Sequence, residues 1–169
     1  MPTQAASDWT TLVSSQAVTA IVSAIVAAAV YYFLEGRKFR REQRVNDVKE
    51  RLDRFYSPMI FHFENMKSWG AAWGKDTYVF AGETLGRKID DMNDLMRSGL
   101  RFVSPKVEKL WYEWQPYAVA AVERRRGNDF YPHLSEAEFV NRSRVLHEAL
   151  NLDRAELSKQ YHNAIGENR

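Results

Sequence analysis

The chain has 169 residues, a net charge of +2 and no cysteine. The missing thiols exclude disulfides, thiolate metal sites and Cys nucleophiles, and the near-balance of charge argues against a general polyanion binder.

The stretch Leu12–Leu34, LVSSQAVTAIVSAIVAAAVYYFL, carries no charge. At about 1.5 Å per residue it covers roughly 30 Å or a little more, the hydrocarbon thickness of a bilayer. Its composition predicts a transmembrane helix rather than a buried core helix. Asp8 is the only charged side chain before it, whereas Arg37, Lys38, Arg40, Arg41 and Arg44 follow it at once. The positive-inside rule then divides the chain. Residues 1–11 are expected to form an extracytoplasmic tail, 12–34 the span, 35–54 a basic juxtamembrane helix and 55–169 a cytosolic helical domain. A cleaved secretory signal would carry its positive charge before the apolar run, not after it. Trp9 at one end and Tyr31, Tyr32 and Phe33 at the other suit the aromatic belts of the two interfaces. The five basic residues predict contact with anionic lipid headgroups. About 130 residues remain beyond the span, enough for one small domain with its own core.

Beyond the span, helical periodicity dominates. Val45, Val48, Leu52, Phe55 and Met59 recur at three- and four-residue spacing and form one apolar stripe. Pro58 predicts a kink or break near Tyr56 and Ser57. Phe61, Phe63, Met66, Trp69 and Trp73 are expected to continue in an aromatic-rich helix. Gly70, Gly74 and Gly82 mark a looser region over residues 75–83. A helix over 84–103 would bury Ile89, Met92, Leu95, Met96 and Phe102. Ser104-Pro105 is a start signal for the next helix, with Ser as cap and Pro at the first position. That helix directs Val107, Leu110, Trp111, Trp114, Tyr117, Ala118, Ala121 and Val122 inward, with a kink expected at Pro116. It ends in Arg124, Arg125, Arg126 and Gly127. Ser135 to Glu138 reads as a capping box opening a last helix through Phe139, Val140, Leu146 and Leu150. Asp153 with Glu156 predicts a restart before Gly166. No segment alternates with period two over a useful length. The expected fold class is all-α, one N-terminal transmembrane helix continuing into a cytosolic helical bundle.

Three constellations could carry function. Within the span, Ala20, Ala24 and Ala28 stand four apart beside Ala27, a face on which helices approach closely. Gln16, Thr19 and Ser23 form a mildly polar stripe that a ring of identical helices could turn inward. Packing through this face predicts a homo-oligomer and, in its fullest form, a pore. On the last helix, Arg142 and His147 have the Arg-x4-His spacing of HEPN ribonucleases. There an Arg steadies phosphate charge and a His moves a proton at the ribose 2′-hydroxyl. Residues five apart on a helix point to different faces, so such a site is assembled between two protomers. Arg126 and His133 give a second match in a loop, which shows how readily the spacing arises in an Arg-rich chain. Asp90-Asp91-Met92-Asn93-Asp94 has the acidic spacing that holds magnesium in isoprenoid synthases. Without a second acidic motif it reads as a solvated face beside Arg87 and Lys88. No metal site, cofactor or small-molecule substrate is expected.

One amino-terminal span, a basic juxtamembrane helix, a helical cytosolic domain and Arg142-x4-His147 near the carboxyl terminus together resemble the small transmembrane accessory proteins of type VI-B CRISPR systems. Ser143 departs from the usual HEPN pattern, in which a polar residue such as Asn or His follows the Arg. The resemblance implies a homo-oligomeric pore in the bacterial inner membrane, amino terminus outside, supporting antiphage defence beside an RNA-targeting effector. Two other readings stay open, a membrane-tethered ribonuclease using Arg142 and His147 on RNA, and a non-enzymatic adaptor.

Overall fold

A computed structural model describes the backbone of residues 4–72, 78 and 83–166, and the side chains of 17–68, 70, 78 and 84–166. Its elements are α1 (Gln4–Arg51), a π-helical turn (Leu52–Tyr56), α2 (Ser57–Ala72), α3 (Glu83–Gly99), a 3-10 turn (Leu100–Phe102), α4 (Pro105–Arg125) and α5 (Glu136–Gly166). There is no strand among the described residues. The all-α expectation is met.

The chain divides into two compact units, residues 1–44 and 45–169. In the first, α1 begins at Gln4 and so takes in most of the residues read as a tail. Every described side chain from Ala17 to Leu34 is exposed. This helix is long and apolar enough to cross a membrane, and none of its apolar window is buried. A core helix of a water-soluble domain would bury that window. Gln16, whose side chain lies outside the described residues, shares the helix with Thr19, Ala20, Ser23, Ala24, Ala27 and Ala28.

The second unit starts ten residues earlier than the expected boundary at residue 55, because Val48 and Leu52 already pack against the bundle core. Pro58 neither breaks the helix nor ends it. Its ring cannot donate to the carbonyl four residues back and would collide with it in a regular helix. The backbone widens just before it, and the Ser57 amide donates to the Leu52 carbonyl five residues back. Pro58 thereby falls in the first turn of α2, where a missing amide costs little. The turn also brings two consecutive rings, Phe55 and Tyr56, into the core.

Tyr56 ties three elements together. Its hydroxyl lies 3.1 Å from Asp153 Oδ2 and accepts from the Ser104 amide at 3.4 Å. Burial first, and then the Asp153 carboxylate, push its pKa up to about 12, so it stays a hydrogen-bond donor at physiological pH. Asp153 is thus occupied as an acceptor, and α5 runs from Glu136 to Gly166 without the expected restart.

The local signals place the remaining helix ends. Ser104 Oγ accepts from the Val107 amide at 3.2 Å, and Pro105 opens α4. Ser135 Oγ accepts from the Glu138 amide at 3.1 Å. Past α4, Gly127 has φ +85°, the left-handed conformation that ends a helix. Its amide donates to Arg124 O at 3.1 Å and the Asn128 amide to Glu123 O at 2.9 Å, the two bonds of a Schellman motif. α4 continues through Pro116, whose exposed position leaves the orphaned Tyr112 carbonyl within reach of water.

Ile89, Met92, Met96, Phe102, Trp111 and Trp114 are buried as expected, and Phe63 and Met66 of the aromatic-rich helix are buried with them. Phe61 is 58% exposed. Residues two apart on a helix differ by about 200°, so α2 cannot bury both Phe61 and Phe63. The Trp69 side chain, Trp73, and residues 75–77 and 79–82 lie outside the described residues.

Where α3 ends, Gly99 packs directly on the widened turn. A Cβ there would lie 2.4 Å from Phe55 Cδ2 and 3.1 Å from Cγ. The Phe55 ring is fully buried in the core cluster, so it could move only against packed neighbours. Gly99→Ala is expected to destabilise the bundle by about 1–3 kcal/mol, outweighing the gain from a stiffer unfolded chain. Chemical denaturation followed by tryptophan fluorescence reads the shift. A neutral or stabilising result would show that α3 does not make this close approach.

Candidate functional site

α4 and α5 form the largest helix–helix contact in the bundle. Arg142 and His147 both belong to α5, and the helix turns about 140° between them, so they meet different neighbours.

Arg142 lies over α4. Its Nη1 is 3.5 Å from Glu113 Oε2, and its Nε is 3.0 Å from Glu138 Oε1. The Nε contact is off the line of the N–H bond, an ion contact rather than an aligned hydrogen bond. The guanidinium also covers the Tyr117 ring, 4.5 Å from its centroid. Leu110, Glu113, Glu138, Asn141, Arg142 and Val145 line a shallow groove of about 200 Å³ here. With two carboxylates on one guanidinium, the groove carries no surplus positive charge to offer a phosphate.

His147 faces the core and is only 9% exposed. Its ring stacks on Phe63, centroids 5.5 Å apart at 14°, and meets Tyr78 edge-on. Nδ1 is 3.1 Å from the Tyr78 hydroxyl, while Nε2 is buried with no hydrogen-bond partner among the described residues. Burial lowers the pKa of this ring. Among neighbouring charges Glu64 and Glu148 raise it, and Lys67 and Arg154 lower it. A neutral imidazole wedged between aromatic rings fits a packing role. For acid–base chemistry at a ribose it would have to reach a substrate that the surrounding rings keep away.

Ser143, between the two, is fully buried and accepts a 2.8 Å hydrogen bond from Trp114 Nε1. Phe63 and Phe139 close around the same indole. This position, read from sequence as a departure from a motif, satisfies the polar edge of the largest buried side chain. Glu113 and Tyr78 complete the surroundings of Arg142 and His147, and neither carried a signal in the sequence. The Glu138–Arg142 pair did, through its four-residue helical spacing.

The other candidates are dispersed. Asp91 pairs with Lys88 and Asp94 with Arg97, each at 3.5 Å along the exposed side of α3. Among the described residues no group of three or more His, Asp or Glu side chains could hold a metal ion. Arg126 pairs with Glu123 at 2.8 Å, and His133 is exposed in the loop beyond it. Comparison with protein families, with curated proteins and with solved structures gives no match.

His147 predicts an acid sensitivity. A histidine whose folded-state pKa lies below its unfolded value favours the fold when neutral. That stability is full above the unfolded value of about 6.5 and is lost as pH falls through the folded value. His62, also lowered by burial and by Lys88, acts in the same direction. The denaturation midpoint of the detergent-solubilised protein should therefore fall between pH 7 and pH 5. His147→Gln should flatten the slope more than His62→Gln does. An unchanged slope in His147→Gln would show that this ring is solvated rather than enclosed.

Proposed function

We propose that this is a single-span protein of the bacterial inner membrane, amino terminus outside, whose helical bundle works in the cytoplasm as part of a homo-oligomeric membrane effector. The observation that carries this reading is the exposed, uncharged helix from Ala17 to Leu34, with five cations in the next ten residues. A lone span would present Thr19, Ser23 and the Ala20, Ala24, Ala28 face to lipid, whereas copies packed together would enclose it. An oligomer closed around that face is the route by which such a chain could form a pore. The role in antiphage defence beside an RNA-targeting effector rests on the resemblance in layout alone.

Within this reading Arg142 and His147 are structural. The double pairing of Arg142 with Glu113 and Glu138, and the enclosure of His147 by Phe63 and Tyr78, favour an effector without nuclease chemistry over a membrane-tethered ribonuclease.

The oligomer is the testable part. Ala24→Leu should block close packing at a cost of order 1 kcal/mol or more per contact and disperse the assembly. Mass measurement of the detergent-solubilised protein, parent against variant, reads it. Unchanged assembly in the variant would remove the small-residue face as the interface, and a monomeric parent would defeat the oligomer itself.

A further inference from the structure

Phe33, Gly36, Arg37 and Arg40 recur at the spacing that puts residues on one helix face, just past the uncharged stretch of α1. Helical side chains lean toward their own N-terminus, which here is the side of the span. Both arginines are seen folded that way. The Arg37 guanidinium lies over the Phe33 ring, 5.5 Å from its centroid, and Arg40 Nε donates to the Gly36 carbonyl at 3.1 Å. Gly36 has nothing within 4 Å of where a Cβ would stand. Each contact fixes a guanidinium plane without consuming its Nη donors.

The nearby charges are arranged unevenly. Glu35, the first acid after the span, accepts from the Tyr31 hydroxyl at 2.8 Å. Lys38 is directed at Glu42, 4.0 Å away. Arg37 and Arg40 have no carboxylate partner among the described residues. At about 1.5 Å per residue they stand roughly 5–9 Å beyond Leu34, the depth of the headgroup layer. Phe39, 60% exposed, adds an apolar ring at the same level.

We infer that Arg37 and Arg40, held by the Phe33 ring and the Gly36 carbonyl, form a two-arginine cradle for the phosphate of an anionic phospholipid headgroup. The inference rests on the membrane-spanning reading above and makes it specific. A planar guanidinium meets phosphate through two parallel donors, which an ammonium cannot do. The cradle is therefore a geometric site, distinct from the general attraction of a basic segment for an acidic membrane.

The test is lipid binding to the full chain in mild detergent, titrated with phosphatidylglycerol or phosphatidylcholine and read by native mass spectrometry. The parent should prefer phosphatidylglycerol. The charge-conserving double variant Arg37→Lys, Arg40→Lys should weaken that binding about tenfold or more, on the scale of a lost bidentate contact. Lys38→Gln, which removes one of the five cations but neither member of the cradle, should weaken it less than the charge-conserving double variant does. An equal or larger loss in Lys38→Gln would overturn the cradle in favour of a diffuse field. Displacement of the lipid by millimolar inorganic phosphate would make it a free-anion site instead. Resistance of the same proteins to alkaline extraction from native membranes separates the two claims. Extraction of the parent would defeat the span and the cradle together, whereas resistance without phosphatidylglycerol preference would defeat the cradle alone.

Discussion

Pro58 imposes the constraint around which this bundle is organised. A proline inside a helix removes one amide and pushes a carbonyl aside. The chain absorbs the defect by widening a single turn at Leu52–Tyr56 rather than by breaking. That turn delivers Phe55 and Tyr56 together into the core. Gly99 must then be free of a side chain to pack on Phe55, and Tyr56 reaches both Ser104, the cap of α4, and Asp153 of α5. Four parts of the bundle meet at two consecutive rings.

The second organising element is the layer of rings between α2, α4 and α5. Trp114 contacts Phe63 and Phe139 and donates to the buried Ser143, while His147 stacks on Phe63. Buried polar atoms are tolerated when their hydrogen bonds are made, and Trp114 with Ser143 satisfies that condition. Among the described residues His147 satisfies it by half, through Nδ1. A polar group left partly unsatisfied in a core costs stability, and the cost rises when the group must also carry a proton. Arg142 stands outside this layer, bracing α5 against α4 through Glu113 and Tyr117. Two residues that share a motif in the sequence thus serve different contacts in the fold.

What was legible in the sequence was local. The long apolar helix, the Ser104 and Ser135 caps, the Gly127 stop and the apolar stripes all depend on residues within a turn or two of each other, and the structure places them accordingly. Pro58 announced a disturbance, but whether a helix bends, breaks or widens depends on what the next turn can bury. Asp153 looked like a cap because Asp favours that position; its partner, Tyr56, belongs to a distant part of the chain. In the aromatic-rich helix the helical period already set Phe61 opposite Phe63, so only one of the two could be buried. The surroundings of Arg142 and His147 could not be read ahead, since Glu113 and Tyr78 reach them only through tertiary packing.

In the proposed arrangement the uncharged helix spans a bilayer and leaves the bundle on the cytoplasmic side. Reporter fusions in a bacterial host test it most directly, with alkaline phosphatase, active only outside the cytoplasm, and a fluorescent protein that matures inside it, each joined after Arg169. A fluorescent, membrane-bound fusion and an inactive phosphatase are the expected pair, because the cations from Arg37 to Arg44 hold their side in the cytoplasm. Active phosphatase after Arg169, or recovery of the full chain in the soluble fraction, would contradict it.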